Sequence, residues 1–512
     1  MNIFKILALL FLISTSDFLF AAPIKKGDLV FTSNFKNENK RLQWSKLNTA
    51  HWVNQSKSNN TCLFINGSGM ISTKLHLGLY RGMRLTFKCL VKAENVTKPL
   101  APYLGVKFML QYKSLTGDVF KNPTNIYGTF DWKEISFAVD VPNDVSDVGL
   151  YLGLQESTGK VWFDRISVIV NNVPTPSTGK KLDIGNSTTK FRGVNYPSNF
   201  VQKDIQSLSE DLNANLIRWQ LTMNSSQYKS AVTDPQRYDD WLNETLKVLD
   251  RVLIACQQYG IKVVIDLHTM PGGHNDSGAL NLFYNQKYND HFIAVWKTIA
   301  SRYKENSTVW GYDLMNEPIE RKATPKGLDY ISTQIKASEQ IRNIDKKTAI
   351  IFEVGGGDSP LSFISLSPVN ITNVIYSVHM YSPHNYTHQG VDDQHTGIVY
   401  PGKVDGIMVD KNSLKGILQP VRDFQVKYNV PIYVGEFSAA RWAPGAAKYL
   451  DDCIDIFEEY GWNWTYHAFR EYDGWDVEFE NGKNKAERPK RASQDTDRKK
   501  VLIKAFEKNK RL

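Results

Sequence analysis

Two patterns of apolar spacing divide the chain. From about Gly27 to Val170, apolar and polar residues alternate in short runs such as Met83 to Val91, Tyr103 to Tyr112, Glu134 to Val139, Val148 to Leu154 and Val161 to Val170. Gly, Asn, Asp and Pro separate these runs, and helical spacing is absent, which predicts an all-β antiparallel sandwich. Asn171 to Gly179 is too polar and proline-rich to pack and marks a linker. After Lys190 short apolar runs alternate with amphipathic ones. The strands expected are Phe191 to Asn195, Asn215 to Trp219, Lys262 to His268, Trp310 to Asn316, Ala349 to Glu353, Val374 to His379, Ile432 to Glu436 and Trp462 to His467. The clearest helix is Asp239 to Tyr259, where Leu242, Leu246, Leu249, Leu253 and Cys256 recur at spacings of four and three before Gly260. Further helices are expected over Leu280 to Tyr303, Leu328 to Arg342, Leu414 to Tyr428, Ala446 to Tyr460 and Gln494 to Lys508. Eight strands alternating with amphipathic helices over about 320 residues predict a closed (β/α)8 barrel, an α/β TIM fold, over residues 190–512. No Gly-rich fingerprint follows the first strand, which counts against a nucleotide fold.

Composition adds less than pattern. The 512 residues are 42% apolar and 22% charged, enough for large cores and unlike a collagen, a disulfide-dense miniprotein or a disordered chain. The net charge, 62 − 53 = +9, is spread along the chain; the basic run Lys483 to Arg511 also holds Glu487, Asp495, Asp497 and Glu507. No nucleic-acid or nucleotide partner is expected, and the chain is expected to be a monomer. Lys5, the apolar run Ile6 to Ile13 and the Ala21-Ala22-Pro23 segment predict a secretory signal over 1–22, hence a secreted protein with no membrane anchor. The sandwich then spans 23–172, with the linker over 173–189. Of four cysteines, Cys62 and Cys89 share the sandwich and have the option of pairing, whereas Cys256 and Cys453 fall on distant helices.

Barrel chemistry sits at the C-terminal ends of the strands, and there the residues turn polar. Arg218, Asp266 with His268, Asn316 with Glu317, Glu353, His379 with Tyr381, and Glu436 close six successive strands. So many ionisable groups at one mouth are costly without a chemical use. Glu317 and Glu436, on strands four and seven, face each other across it. Paired carboxylates are what glycoside cleavage needs, one acid for the leaving oxygen and one carboxylate to attack or to activate water. Glu353 competes for the second role because it also ends a strand.

The motifs Tyr312-Asp313-Leu314-Met315-Asn316-Glu317-Pro318, Val378-His379-Met380-Tyr381 and Tyr433-Val434-Gly435-Glu436-Phe437, in that order behind Arg218 and His268, resemble glycoside hydrolase family 5. The resemblance covers roughly residues 190–475. It implies a retaining β-glycan hydrolase of cellulase, β-glucanase or mannanase type, with Glu317 as acid/base and Glu436 as nucleophile. It further implies Asn316 on the sugar 2-hydroxyl, Arg218 and Tyr381 holding Glu436, and His268 and His379 lining the pocket. Family members often place a Trp platform near the end of strand eight. Here His467 stands near that position, and Trp464 and Trp475 are the expected sugar contacts. The segment Gly159 to Ser167 is similar to the closing strand of a jelly-roll carbohydrate-binding module, which gives the sandwich a candidate role. Its candidate stacking rings are Trp44, Trp52, Tyr80, Tyr103, Tyr112 and Trp132. No cofactor and no metal is expected: His379, His384, His388 and His395, with Asp392 and Asp393, match no compact ligand spacing. The partner is a β-linked poly- or oligosaccharide. A non-catalytic sugar-binding protein on a degenerate barrel is the alternative, and the presence of both Glu317 and Glu436 opposes it.

Overall fold

The computed structural model describes residues 24–172 and 189–510, apart from 37, 55–60, 115–116, 143–144, 198, 322–323, 392–395 and 405–406. The expected signal segment over 1–22, nearly all of the expected linker, and His395, Asp392 and Asp393 lie outside the described residues.

Residues 24–172 form two antiparallel sheets over a common core. One runs in the order Ala50–Val53, Cys62–Asn66, Lys160–Asn172, Arg84–Val96, Gly128–Asp140, with Leu29–Ser33 also on Lys160–Asn172. The other runs Gly69–Lys74, Ser146–Gln155, Gly105–Ser114, Gly117–Lys121. Alternate residues of both sheets turn inward, which is why the sequence reads with period two. Phe87 stacks on Phe137 at 4.8 Å and Phe108 meets Phe137 edge-on at 5.2 Å. Of the sandwich rings, Trp44 and Tyr112 are buried in this core and Tyr103 is exposed. The Cys62–Cys89 pairing is not made; the Cys89 thiol lies 3.6 Å from the Asp164 carbonyl.

Residues 189–510 form the barrel. Its strands are β1 Arg192–Tyr196, β2 Leu216–Gln220, β3 Lys262–Asp266, β4 Val309–Asp313, β5 Ala349–Phe352, β6 Val374–Met380, β7 Ile432–Phe437 and β8 Asn463–Tyr466, all parallel and closed by β8 pairing with β1. Each is covered by helices outside and by side chains inside, so it reads as a continuous apolar run. The helix Pro235–Gln258 shows why the outer ring forms: Asp234 caps it, Pro235 starts it, and Leu242, Leu246, Leu249, Leu253 and Cys256 bury one stripe. The helix expected over Leu280 to Tyr303 is instead a short turn, Asn281–Phe283, and a helix, Gln286–Tyr303, because Asn285 caps the second from within the run. Among the described residues no helix is long and apolar enough to cross a membrane.

Inside the barrel the lower layer is apolar, with Leu216, Val264, Ile351, Ile375 and Tyr433 packed together. Two residues further along each strand, on the same face, the layer becomes polar: Arg218, Asp266, Asp313 and Glu353. Strand β7 departs from alternation. Val434 pairs with Val378 but Glu436 pairs with His379, so the register slips by one residue at Gly435. That bulge turns Glu436, three positions after the inward Tyr433, back toward the mouth. Glycine is required there, since a Cβ on Gly435 would stand 2.7 Å from His379 Nε2 and 2.9 Å from Ser377 Oγ.

Candidate active site

Arg218 is the hub. Its guanidinium is fully buried and donates from Nε to Asp313 (2.8 Å), from Nη1 to Glu436 (2.7 Å) and Asn195 (3.1 Å), and from Nη2 to Glu353 (2.9 Å) and Asn316 (3.0 Å). Asp266 also lies 3.1 Å from Nη2. Four carboxylates thus crowd one guanidinium, and they cannot all stay ionised at ordinary cost. Burial, then the neighbouring Asp313, pushes the Glu353 carboxyl up to about 8. Asp313 is pushed up to about 7, by burial against the pull of Arg218.

Glu436 has the opposite fate. Burial would raise it, but His467, His379 and Arg218 outweigh burial and hold its carboxyl well below the usual range. The Tyr381 hydroxyl donates to Glu436 Oε2 at 2.8 Å, and burial followed by the Glu436 charge keeps that phenol protonated. His467 Nδ1 lies 3.2 Å from the same oxygen and 2.5 Å from the Tyr381 hydroxyl, while its Nε2 lies 3.0 Å from Glu471. Glu436 is therefore a fixed anion whose two oxygens are held from different sides.

Glu317 stands beyond the end of β4 and is half-exposed. Its backbone takes the left-handed region at φ 48°, and its N–H donates to Glu353 at 2.6 Å. A non-glycine residue there is strained and is kept so by its surroundings, here the Glu353 carboxyl. The Glu317 side chain meets His379 Nδ1 at 3.1 Å, and the other nitrogen of His379 lies 3.5 Å from Glu353. Burial alone would depress His379, yet Glu353 and Glu436 raise it well above its ordinary value. His268 sits 2.8 Å from Asp266, which overrides burial and raises it to about 8.

Glu317, His379 and Glu436 each offer an atom within 4.8 Å of the others, as do Glu353, Asp358 and His379. Both sets have cation spacing. Both also depend on His379, which the surrounding carboxylates bias toward its protonated form, and a protonated imidazole has no lone pair for a metal.

The structure brings together Arg218, His268, Asn316, Glu317, His379, Tyr381 and Glu436. It does not bring Trp464 to the mouth. Trp464 faces outward from β8, fully buried, stacked on Phe506 at 5.4 Å and donating to Glu458. Trp475 lies behind Tyr381 with ring centroids 6.3 Å apart and is 6% exposed, so it props the phenol and leaves no face open for a sugar. His384 and His388 stack on one another at 3.9 Å; burial and then His384 depress His388 to about 3. Residues the sequence reading left out are Asn195, Asp313, Asp358 and Glu471. Strand alternation was the available signal for Asn195 and Asp313, each two residues after an inward position.

A closed parallel barrel with two carboxylates facing one another over a buried arginine defines a glycoside hydrolase. Residues 177–473, more than half of the chain, match the family described as cellulase (glycosyl hydrolase family 5), and the chain belongs to that family. Endoglucanase C of Acetivibrio thermocellus is 25% identical over 267 residues, 46% of this chain and 77% of that protein. Cellodextrinase A of Ruminococcus flavefaciens is 26% identical over 220 residues, 42% of this chain and 64% of that protein. Among solved structures, endoglucanase Cel5A from the hyperthermophilic Thermotoga maritima is similar at 22% identity and a TM-score of 0.47, over 62% of this chain and 96% of that one. The family match begins after the sandwich.

Proposed function

We propose that this glycoside hydrolase of the cellulase type is a secreted, retaining enzyme that cleaves β-linked glucan by double displacement, with Glu436 as nucleophile and Glu317 as acid/base. The observation that supports retention is the spacing: one carboxylate oxygen of Glu317 and one of Glu436 lie within 4.8 Å. Retaining pairs stand about 5–5.5 Å apart, whereas an inverting pair needs about 6.5–9.5 Å to seat a water between them. The glucan assignment rests on the names of the endoglucanase and cellodextrinase relatives. Secretion rests on the N-terminal apolar run.

In the first step Glu436 attacks the anomeric carbon while Glu317 gives its proton to the departing oxygen. In the second, Glu317 takes a proton from water, which displaces Glu436 from the sugar. Arg218 and Tyr381 aim the two oxygens of Glu436, so the attack needs little rearrangement. Arg218 also fixes the Asn316 amide by donating to its Oδ1, which turns the Nδ2 group, 3.5 Å from His268, toward the sugar. A hydrogen bond from that group to the 2-hydroxyl strengthens as positive charge develops on the ring.

Replacing Glu317 with Ala tests the acid/base role. On a glucan oligosaccharide, kcat/KM is expected to fall about 10²–10⁴-fold, the usual range for a lost general acid. On a 2,4-dinitrophenyl glycoside, whose leaving group needs no proton, kcat/KM is expected to stay within about tenfold. Equal losses on both substrates would sink the assignment.

His467 should set the acid limb of the pH profile. Its cation favours the ionised form of Glu436, so His467→Gln should raise the Glu436 pKa and move the acid limb of kcat/KM to higher pH, by about 1–3 units. Glu471, Tyr381, His268 and His388 also face His467 and are unchanged in that variant. An unmoved limb would show that His467 only fills space.

A further inference from the structure

Between the sandwich and the barrel lies an open cleft of about 190 Å³. Its sandwich wall includes Lys121 and Asn122, and its barrel wall includes Ile319, Arg321, Gly356 and Ser359. That barrel wall is the acid side of the site. Ile319 follows Glu317 by two residues, which places their Cα atoms within about 7 Å. Gly356 belongs to the loop after Glu353, and the Gly357 N–H donates to the Pro318 carbonyl at 3.2 Å, tying the two loops together. Gly356 and Gly357 both sit at φ 75°; a Cβ on Gly357 would meet nothing within 4 Å, and one on Gly356 would stand 3.3 Å from Ser362 Oγ.

The sandwich is fixed against these loops. Arg84, from the sandwich strand Arg84–Val96, pairs with Asp140 at 2.9 Å and reaches across to Glu320 at 3.1 Å. The other oxygen of Glu320 accepts the Tyr330 N–H at 2.7 Å, and Ser365 donates to Asp140. All three charged side chains are nearly buried, and the sandwich therefore grips a residue three positions from Glu317. Besides the ion-paired Arg84, two cations line the cleft, Lys121 and Arg321. Lys121 makes no ion pair among the described residues, and the Arg321 side chain donates from Nε to the Ser277 carbonyl. Burial first and Arg321 second hold the Lys121 ammonium below its ordinary value, which places the two cations within electrostatic reach.

A general acid protonates the oxygen of the leaving sugar, so the leaving part of the chain departs past Glu317. We infer that the sandwich supplies one wall of a subsite for the leaving-group side of the β-glucan chain, with Lys121 and Arg321 donating to the oxygens of a sugar beyond the scissile bond. The inference rests on the assignment of Glu317 as acid/base. The volume is below the roughly 300 Å³ at which pockets for drug-sized ligands begin, so the cleft suits one sugar ring of a longer chain. This gives the sandwich a part in cleavage that does not depend on an exposed aromatic platform.

The test uses the full chain with Lys121→Ala and Arg321→Ala combined, assayed on cellotetraose to cellohexaose and on 4-nitrophenyl β-cellobioside, whose sugars all lie on the other side of the scissile bond. The expected result is a KM about tenfold higher on the longer oligosaccharides and a kcat/KM on the aryl cellobioside within twofold of the parent. Unchanged KM on every length would overturn the subsite, and so would an equal loss on the aryl cellobioside, which would show a structural role. A parent enzyme inactive on both substrate types would overturn the glucanase reading, and the subsite with it.

Discussion

Glu436→Gln is expected to reduce kcat by at least about 10⁴-fold, the scale on which removal of a covalent nucleophile acts in other hydrolases. The amide keeps the shape of the side chain and its contacts with Arg218 and Tyr381, but it cannot form the ester. Because Arg218 retains Asp266, Asp313 and Glu353 as partners, the fold should survive the change. Glu353→Gln supplies the comparison. Glu353 is fully buried, with one oxygen on Arg218 and the other on the Glu317 N–H, and neither faces the open side of the mouth. Its variant should lose activity through a misplaced Glu317 and should retain far more turnover than Glu436→Gln. The reverse ranking in steady-state assays would transfer the nucleophile's role to Glu353.

Arg218→Ala is the largest expected effect on stability. Removing one member of a buried ion pair costs about 3–5 kcal/mol, because the remaining charge has neither water nor partner. Here several carboxylates lose the same partner, and a melting temperature lower by on the order of 10 °C is expected. The pH dependence gives the cause away. Asp313 and Glu353 have folded-state pKa values raised to about 7 and about 8, above their unfolded values, so the folded protein binds more protons than the unfolded one between about pH 4 and 8. Their contribution therefore makes stability fall as pH rises through that window. Glu436, held below its ordinary value, gives the opposite slope, but in the more acidic region where it titrates. Without Arg218 the two raised groups rise further, so the difference in melting temperature between parent and variant should widen from pH 5 to pH 8. A difference independent of pH would show that the loss is one of packing.

The barrel was legible because its strands are covered on both faces and so stand out as apolar runs between amphipathic helices. All eight were placed within a few residues. The two carboxylates were legible because they follow such runs. The convergence on Arg218 was not, since its partners are 23 to 218 positions away and nothing local marks them as neighbours. Trp464 was misplaced although the signal was present: with His467 facing the mouth, alternation along β8 turns Thr465 inward and Trp464 outward, where it packs on Phe506. The bulge at Gly435 is the converse case. Strict alternation from Tyr433 would have pointed Glu436 away from the site, and one extra residue in the ladder corrects it.

Double displacement requires Glu436 to become covalently bonded to the sugar. Incubation with 2,4-dinitrophenyl 2-deoxy-2-fluoro-β-cellobioside slows both steps but leaves a good leaving group, so the intermediate should accumulate and inactivate the enzyme. Peptide mass spectrometry of the inactivated protein should then find the fluorosugar on Glu436. A label on Glu353, or cleavage that inverts the anomeric centre with no covalent adduct, would contradict the account.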